Sequence, residues 1–206
     1  MITHRLLVVR RRSGLALVAA AALALMAPGA GRDARASLMV ALDLSELVGH
    51  ADHIVVTDVA SVQSAWDAKH ERILTTIQLN VVETWKGPAT PASRLTIVQP
   101  GGTVDDMTMV VFGMSQFKTG ERSLVFLRGN LNAASVVGMA QGKRPLFRDA
   151  TTGRWMADGP DRSGALFLRP DASTPAAAAA ATENALRRRL LDDLHQDVRT
   201  IMKAAR

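Results

Sequence analysis

Residues 73–87, ILTTIQLNVVETWKG, show the clearest alternation of apolar and polar side chains in the chain. Successive side chains of a strand point to opposite faces, so this period of two predicts a long β-strand. Glu83 interrupts the apolar face, which indicates a bulge or the edge of a sheet. Gly87 and Pro88 then end the strand. We interpret the stretch mainly as a structural element, a strand and its turn.

A second strand is predicted over residues 53–62, HIVVTDVASV, because β-branched side chains occur on both of its faces. Ile54, Val56 and Val62 fall on one face of this strand, and the other face is apolar as well. Two apolar faces are typical of a strand in the wall of a barrel or a sandwich. The polar residues 63–72 predict the hairpin connection to the next strand.

Shorter apolar stretches follow, separated by turn residues such as the glycines that precede or follow each of them. These candidate strands are residues 94–99, 107–113, 122–128, 134–140, 144–149 and 153–158. No helical pattern alternates with them, which argues against a doubly wound α/β sheet. The spacing favours a mainly β fold, and we predict a closed, OB-like antiparallel β-barrel over residues 37–168.

A short helix is predicted before the barrel strands. Leu44, Leu47, Val48 and Ala51 form one apolar stripe at helical spacing. Asp43 is the expected N-cap, because a Glu follows it three positions later, as in a capping box.

A second helix is predicted at the carboxyl end, over residues 183–206, with Thr182 as its N-cap. It follows an Ala- and Pro-rich linker at residues 169–182. The helix carries a continuous apolar stripe of Leu186, Leu190, Leu191, Leu194, Val198, Ile201 and Met202. Three roles suit such a helix: packing on its own barrel, oligomerisation or docking on another protein, and lying on a membrane surface.

The first 36 residues have the plan of a secretory signal peptide. Four arginines at 5 and 10–12 precede an apolar run at 15–27, and an Ala-x-Ala exit ends at Ala36. At ~1.5 Å per helical residue the run spans roughly 20 Å, short of the ~30 Å hydrocarbon core of a bilayer. We therefore expect export to the periplasm or the medium after cleavage near Ala36, without a stable membrane span. The general secretory and twin-arginine routes both stay open.

Net charge and cysteine content exclude one class of binding partner and several kinds of chemistry. Six of the 25 basic residues and one of the 19 acidic residues lie in 1–36, which leaves 19 and 18, a net charge of +1. A chain so close to neutrality has no electrostatic footprint for nucleic acid. There is no cysteine, which excludes disulfides, thiolate nucleophiles and Cys-based zinc ligands.

A metal site is one hypothesis for the polar cluster His50, Asp52 and His53. Imidazole and carboxylate groups suit zinc or another divalent ion when they converge on one point. The cluster lies where a helix gives way to a strand, so its neighbouring side chains are expected to point apart. We therefore favour a helix end and a strand start here, and no cofactor is expected. His70 and His195 would add ligands only if the fold brought them to the same place.

Two residues are candidates for binding a partner, Glu121 and Trp66. A carboxylate next to Gly120 at a strand entrance can accept backbone N–H groups or pair with Arg122 or Arg144. Structural use is the main interpretation of Glu121, and a binding role is the alternative. Trp66 lies in a polar segment, where a large apolar ring with one donor suits an exposed contact.

Several short motifs occur in a familiar order: ADHIVVTDVASV, ILTTIQLNVVETWKG, LTIVQPGG, FKTGERSLVFL and VVGMAQGK. In this order the chain resembles a family of uncharacterised secreted bacterial proteins with a small β-barrel. More distantly it is similar to the netrin-like domain, the OB-fold of tissue inhibitors of metalloproteases. The matching positions are Ala51, Asp52, Lys86, Gly87, Gly120 and Glu121. The resemblance implies a small OB-like β-barrel, export from the cytoplasm, and a binding function rather than a catalytic one. The inhibitors' N-terminal Cys and their disulfides have no counterpart here, so their inhibitory mechanism does not carry over.

The function that these signals favour is a non-enzymatic exported binding or protein-interaction module for an unknown protein or envelope ligand. Loops 63–72 and 101–121 are where a partner is expected, because OB-type barrels bind through a sheet face and its loops. The alternative is a metal-dependent or carboxylate-based hydrolase that uses His50, His53 or Glu121.

Overall fold

The computed structural model describes residues 37–160, 165–168 and 188–205. The predicted signal peptide, the linker at 169–182, the N-cap at Thr182 and the first part of the predicted second helix, residues 183–187, lie outside these residues. The described chain is mainly β and antiparallel, as predicted, with two α-helices, α1 (Leu44–His50) and α2 (Leu191–Ala204). A 3₁₀ helix occupies Met139–Gly142.

Twelve strands are described, most of them short. They are β1 (Ser37–Val40), β2 (His53–Trp66), β3 (Ile73–Lys86), β4 (Arg94–Pro100), β5 (Gly102–Val104), β6 (Met107–Met109), β7 (Arg122–Arg128), β8 (Ser135–Val136), β9 (Lys143–Arg148), β10 (Trp155–Ala157), β11 (Ala165–Leu168) and β12 (Arg189–Leu190).

The main sheet has the strand order β12-β10-β9-β7-β2-β3-β4, and β8 also pairs with β7. Its outer strands β4 and β12 do not pair with each other among the described residues, so the predicted closed barrel is not found. An isolated bridge between Ile97 and Ala134 links β4 to the segment before β8. β1 and β11 form a separate parallel pair, and β5 and β6 form a separate hairpin.

Strand β2 contributes to two hydrophobic cores, one on each face. Val55 and Val59 belong to a core formed with β3, β4 and β7. Ile54 and Val56 belong to a second core, which α1 and α2 cover. The prediction of a strand with two apolar faces is therefore confirmed, and helices account for the second face.

β-Bulges move some side chains of β2 and β3 to the face opposite to the one that strict alternation predicts. The pairing of β2 with β3 is irregular between Val59 and Ser61, and Val62 consequently packs with Val55 and Val59 instead of Ile54 and Val56. Further irregularities near Val56 confirm the bulge that Glu83 indicated in β3. Because of them Trp85, which the period placed with the other apolar residues of β3, packs in the helix-covered core.

Helix α1 forms as predicted. The backbone N–H of Glu46 donates to Oδ1 of Asp43 at 2.9 Å, and the N–H of Asp43 donates to Oε2 of Glu46 at 2.7 Å, which completes the capping box. Leu47 and Val48 of its stripe are buried against the sheet.

Helix α2 packs on its own chain, the first of the three roles considered for it. It begins at Leu191, not at residue 183, because Arg189 and Leu190 pair as strand β12 with β10. The His195 ring stacks on the Trp85 ring with a centroid distance of 4.4 Å, and Leu194 and Val198 are fully buried. Neither α-helix in the described part of the chain combines the length and the hydrophobicity that a membrane span needs.

Other predicted boundaries need correction. β2 runs on to Trp66, so the connection between the first two long strands is only residues 67–72. The predicted strand 107–113 is limited to Met107–Met109, and the stretch 134–140 is a two-residue strand followed by the start of the 3₁₀ helix.

An ion pair joins β2 to β7. The Arg122 Nε and one terminal nitrogen donate to the two carboxylate oxygens of Asp58, each at 2.7 Å. These hydrogen bonds, with the charge of Arg122, lower the pKa of the Asp58 carboxyl below its ordinary value of 3.8. Because the folded-state pKa is the lower one, the pair stabilises the fold above about pH 4, and this contribution is lost as the pH falls through the lowered pKa.

Asp58→Asn is therefore expected to reduce the free energy of unfolding by about 1 kcal/mol at pH 7, since solvent screens this partly exposed pair. Urea unfolding between pH 7 and pH 2.5 should show the difference between variant and wild type shrinking below about pH 4. A difference that stays constant over this range would contradict the assignment.

Candidate functional site

An open cleft of about 550 Å³ lies at one end of the main sheet. Its floor comes from β2, β3 and β4, and its rim comes from residues 101–117, which we call the cleft loop. None of the described residues that line the cleft is Asp, Glu, His, Lys or Arg. The lining is apolar with a few neutral hydrogen-bonding groups, which is typical of small-molecule sites.

The cleft loop exposes large apolar side chains. Val110 is 67% exposed, Met107 55% and Phe112 48%. Val110 and Phe112 line the cleft directly, and Met107 lies in the same hairpin as the lining residue Met109. Apolar groups grouped in this way beside a concavity mark an interaction site more often than isolated ones do.

Hydroxyl groups on the cleft floor hold the start of the cleft loop in place. The Thr75 hydroxyl donates to the Gly101 carbonyl at 2.5 Å, and its oxygen lies 2.8 Å from the Ser64 hydroxyl oxygen. A Cβ on Gly102 would lie 2.3 Å from the Ser64 oxygen and 2.4 Å from the Thr75 oxygen. Glycine is therefore required at 102 for the loop to approach the sheet this closely.

Gln99 projects from β4 into the cleft floor, where it is buried. Its Nε2 donates to the Ser115 carbonyl at 2.8 Å, and the Ser115 hydroxyl donates to the Met139 carbonyl at 2.9 Å. These bonds tie the cleft loop to β4 on one side and to the 3₁₀ helix on the other. Among the described residues, the buried Gln99 Oε1 has no hydrogen-bond partner.

Glu121 holds the far end of the cleft loop through Lys143. The Lys143 Nζ lies 2.6 Å from Glu121 Oε1, and it also donates to the Gln116 carbonyl. The same Nζ lies 4.8 Å from the centre of the Phe117 ring, and Gln116 and Phe117 line the cleft. Lys143 is buried, so this cation is held entirely by neighbours within the protein.

The partners of Glu121 differ in part from the expected ones. It accepts the Lys118 N–H at 3.2 Å, as anticipated for a strand entrance, but its cationic partner is Lys143 and not Arg122 or Arg144. Glu121 does not line the cleft itself, and it acts on the lining through Lys143. A direct binding role for Glu121 stays a prediction.

Trp66 is the last residue of β2 and is half-buried, not part of a loop. Its ring stacks on that of His70, with centroids 6.0 Å apart. Ser64, two residues earlier on the same strand face, lines the cleft, but Trp66 does not. Its role in binding a partner stays a prediction.

The cluster at residues 50–53 lies at a helix end and a strand start, the interpretation that we favoured. His50 is exposed, and the buried His53 has its Nε2 2.9 Å from the Gly129 carbonyl oxygen. Asp52 accepts the Gly129 N–H at 2.8 Å. Within the described part of the chain, no group of three or more His, Cys, Asp or Glu could hold a metal ion.

The six positions that matched the netrin-like pattern all have structural contacts near strand ends. Lys86 donates from Nζ to the Val48 carbonyl at 2.8 Å and so caps α1. Gly87, with φ +97°, lies against the His53 ring. Gly120 donates its N–H to the Val59 carbonyl at 2.8 Å, and the backbone carbonyl of Glu121 accepts the Val59 N–H at 2.9 Å. These contacts explain why the motifs indicated architecture.

Sequence reasoning named the loop 101–121 but missed the cleft residues on the sheet, Thr75 and Gln99. The signal that could have found the site is the run Met107–Met114, MTMVVFGM, next to the pair Gly101–Gly102. The structure forms a strand from only three of these residues. An apolar run that continues beyond a regular strand indicates apolar side chains exposed on a loop.

No family model, curated protein or solved structure matches this chain.

Proposed function

We propose that this protein is an exported, non-enzymatic binding module whose cleft takes a small, uncharged and largely apolar ligand. The observation that carries the proposal is the chemistry of the cleft. Its described lining has apolar and neutral polar side chains and no ionisable group, and the cleft loop displays Val110 and Phe112 to solvent.

The absence of ionisable side chains in this lining favours binding over hydrolysis. General acid–base catalysis needs a titratable group within hydrogen-bond reach of the reacting atoms. Asp105 and Asp106 belong to the cleft loop but do not line the cleft. Glu121, which follows the loop, is engaged with Lys143, Ser123 and the backbone of Lys118.

The fold that we propose is a partly open OB-like barrel of β2, β3, β4, β7 and the segment 131–136. Three contacts support it: the Thr96 N–H donates to the Leu131 carbonyl at 2.9 Å, the Ala134 N–H donates to the Thr96 carbonyl at 2.9 Å, and β8 pairs with β7. A partly open five-strand barrel is the form that OB domains take. Kinship with netrin-like domains is part of this proposal and rests on the six motif positions.

Export rests on the amino-terminal pattern of arginines, apolar run and Ala-x-Ala exit near Ala36. A cysteine-free chain is compatible with an oxidising compartment, because it has no thiol to oxidise or mispair. A ligand in the cell envelope is therefore the expected partner, and nucleic acid is not.

Binding of Nile red, an uncharged apolar dye, tests the proposal. We expect its fluorescence to rise on titration with the purified protein. Phe112→Ser should weaken dye binding at least about tenfold, because full burial of an aromatic side chain contributes roughly 1.5–3 kcal/mol and ~1.4 kcal/mol is a factor of ten. Val110→Ser should weaken it by less.

The matched control is Val82→Ser, which removes an exposed valine of β3 outside the cleft lining. We expect Val82→Ser to bind the dye as the wild type does. Equal affinities for Phe112→Ser, Val82→Ser and wild type, or no dye binding at all, would refute the cleft as a binding site.

A further inference from the structure

Lys143 is a buried cation that contacts two residues of the cleft lining without lining the cleft itself. Its Nζ lies 2.6 Å from Oε1 of Glu121, which is also outside the described lining. The same Nζ donates to the Gln116 carbonyl and lies 4.8 Å from the centre of the Phe117 ring. Gln116 and Phe117 both line the cleft. One ammonium group therefore connects a carboxylate outside the cleft to the end of its lining.

The other hydrogen bonds that hold this part of the cleft loop belong to the residue before Gln116. Ser115 accepts from Gln99 Nε2 at 2.8 Å and donates to the Met139 carbonyl at 2.9 Å. Among the described residues, the hydrogen-bond partner of Gln116 is Lys143. Removal of the ammonium would therefore free the backbone at the end of the lining, while the preceding residues stay attached.

A buried ion pair of this kind contributes little net stability, because both charges lose their hydration when the chain folds. Removal of one charge is costly because the other charge stays buried, whereas replacement of both by apolar or neutral groups is often neutral. Such a pair can instead favour one conformation over others, because few arrangements satisfy a buried cation. The arrangement that satisfies Lys143 brings the Gln116 carbonyl and the Phe117 ring to its ammonium.

We infer that the Glu121–Lys143 pair positions the end of the cleft lining for ligand binding and contributes little net stability to the fold. This inference rests on the proposed function and goes beyond it, because it assigns control of affinity to residues outside the described lining. Lys143 is a positioning residue that acts through Gln116 and Phe117, and Glu121 holds its ammonium in place. Ligand affinity should then depend on the ammonium, and stability on the balance of the two charges.

The double variant Glu121→Gln/Lys143→Met tests the inference, because it removes the ammonium without leaving a charge unpaired. We expect it to unfold at a urea concentration close to that of the wild type. Its affinity for Nile red should nevertheless fall about five- to tenfold. The ligand would have to order the freed lining, and each side chain ordered on binding costs a factor of roughly two to ten in affinity. Lys143→Met should show the same loss of affinity with a lower stability.

Lys86→Met is the matched control. Lys86 also donates from Nζ to a backbone carbonyl, that of Val48, and it lies outside the described cleft lining. We expect this variant to bind Nile red as the wild type does. Far-UV circular dichroism of every variant shows whether the affinities refer to folded protein.

The outcomes separate this inference from the proposed function. A double variant that binds the dye as tightly as the wild type, or no more weakly than Lys86→Met, overturns the inference and leaves the proposed function standing. A double variant that does not fold, or that is no more stable than Lys143→Met, also overturns it, because the pair would then be needed for stability. Absence of dye binding by the wild type overturns the proposed function, and this inference with it.

Discussion

Glu121→Gln is expected to lower the free energy of unfolding by about 3 kcal/mol at pH 7, because it leaves a buried cation without its counter-ion. The side chain of Lys143 is 3% exposed and lies 2.6 Å from Glu121. After the substitution its ammonium would face a neutral amide, with the Gln116 carbonyl and the Phe117 ring as its other neighbours. Urea unfolding followed by circular dichroism measures the loss.

The double variant Glu121→Gln/Lys143→Met distinguishes a buried ion pair from general disruption of the strand entrance. Replacing both charges removes the cation that would be stranded, so the double variant should recover most of the lost stability. Arg72→Gln is the matched control, since the Arg72–Asp67 pair is at the surface and should cost less than about 1 kcal/mol. A Glu121→Gln variant as mildly affected as Arg72→Gln would contradict the assignment.

Gly87→Ala is expected to destabilise the fold by at least about 3 kcal/mol, because it combines backbone strain with two close contacts. Gly87 has φ +97°, which side chains other than glycine rarely adopt. A Cβ there would lie 2.7 Å from the Asp52 carbonyl oxygen and 2.5 Å from His53 Nδ1. The imidazole has little room to retreat, since it is buried with its Nε2 on the Gly129 carbonyl. Thermal and urea unfolding of the purified variant measure the effect.

Substitutions of two other glycines distinguish the effect of backbone strain from the effect of close contacts. Gly120 has φ +82°, and no atom lies within 4 Å of the Cβ that Gly120→Ala would add. This variant should therefore lose only about 1–2 kcal/mol of unfolding free energy, through backbone strain alone. Gly49→Ala lies in α1 without a positive φ or a close contact, and it should stabilise the helix by up to about 1 kcal/mol. If Gly87→Ala were no worse than Gly120→Ala, the contact with Asp52 and His53 would not matter.

Local patterns predicted the elements whose partners are near in sequence. The capping box of α1 and the long strand at 73–86 need only a few neighbouring residues to form, and both are confirmed. The face of Val62 was wrong because a bulge near Ala60 shifts the pairing, and a count of alternating residues does not register such a shift. The start of α2 was wrong because Leu190 pairs with Met156, a residue far away in sequence.

For a related reason, the sequence predicted the loop of the candidate site but not its residues on the sheet. Thr75 and Gln99 lie on strand faces that are otherwise apolar, so their position in a cleft depends on which strands meet there and on what loop covers them. The apolar run in the cleft loop was interpreted as a strand because apolar residues are usually buried. Sequence rules fail most often at functional or strained sites, and the proposed function would make the cleft loop such a site.

The position of β2 between two cores has a consequence for how this chain loses its structure. Val55 and Val56, adjacent on the strand, belong to different cores, so displacement of β2 from the sheet disrupts both cores at once. We therefore expect the core shared with β3 and β4 and the helix-covered core to unfold together. The slowest-exchanging backbone amides are therefore expected in β2, which pairs with both β3 and β7.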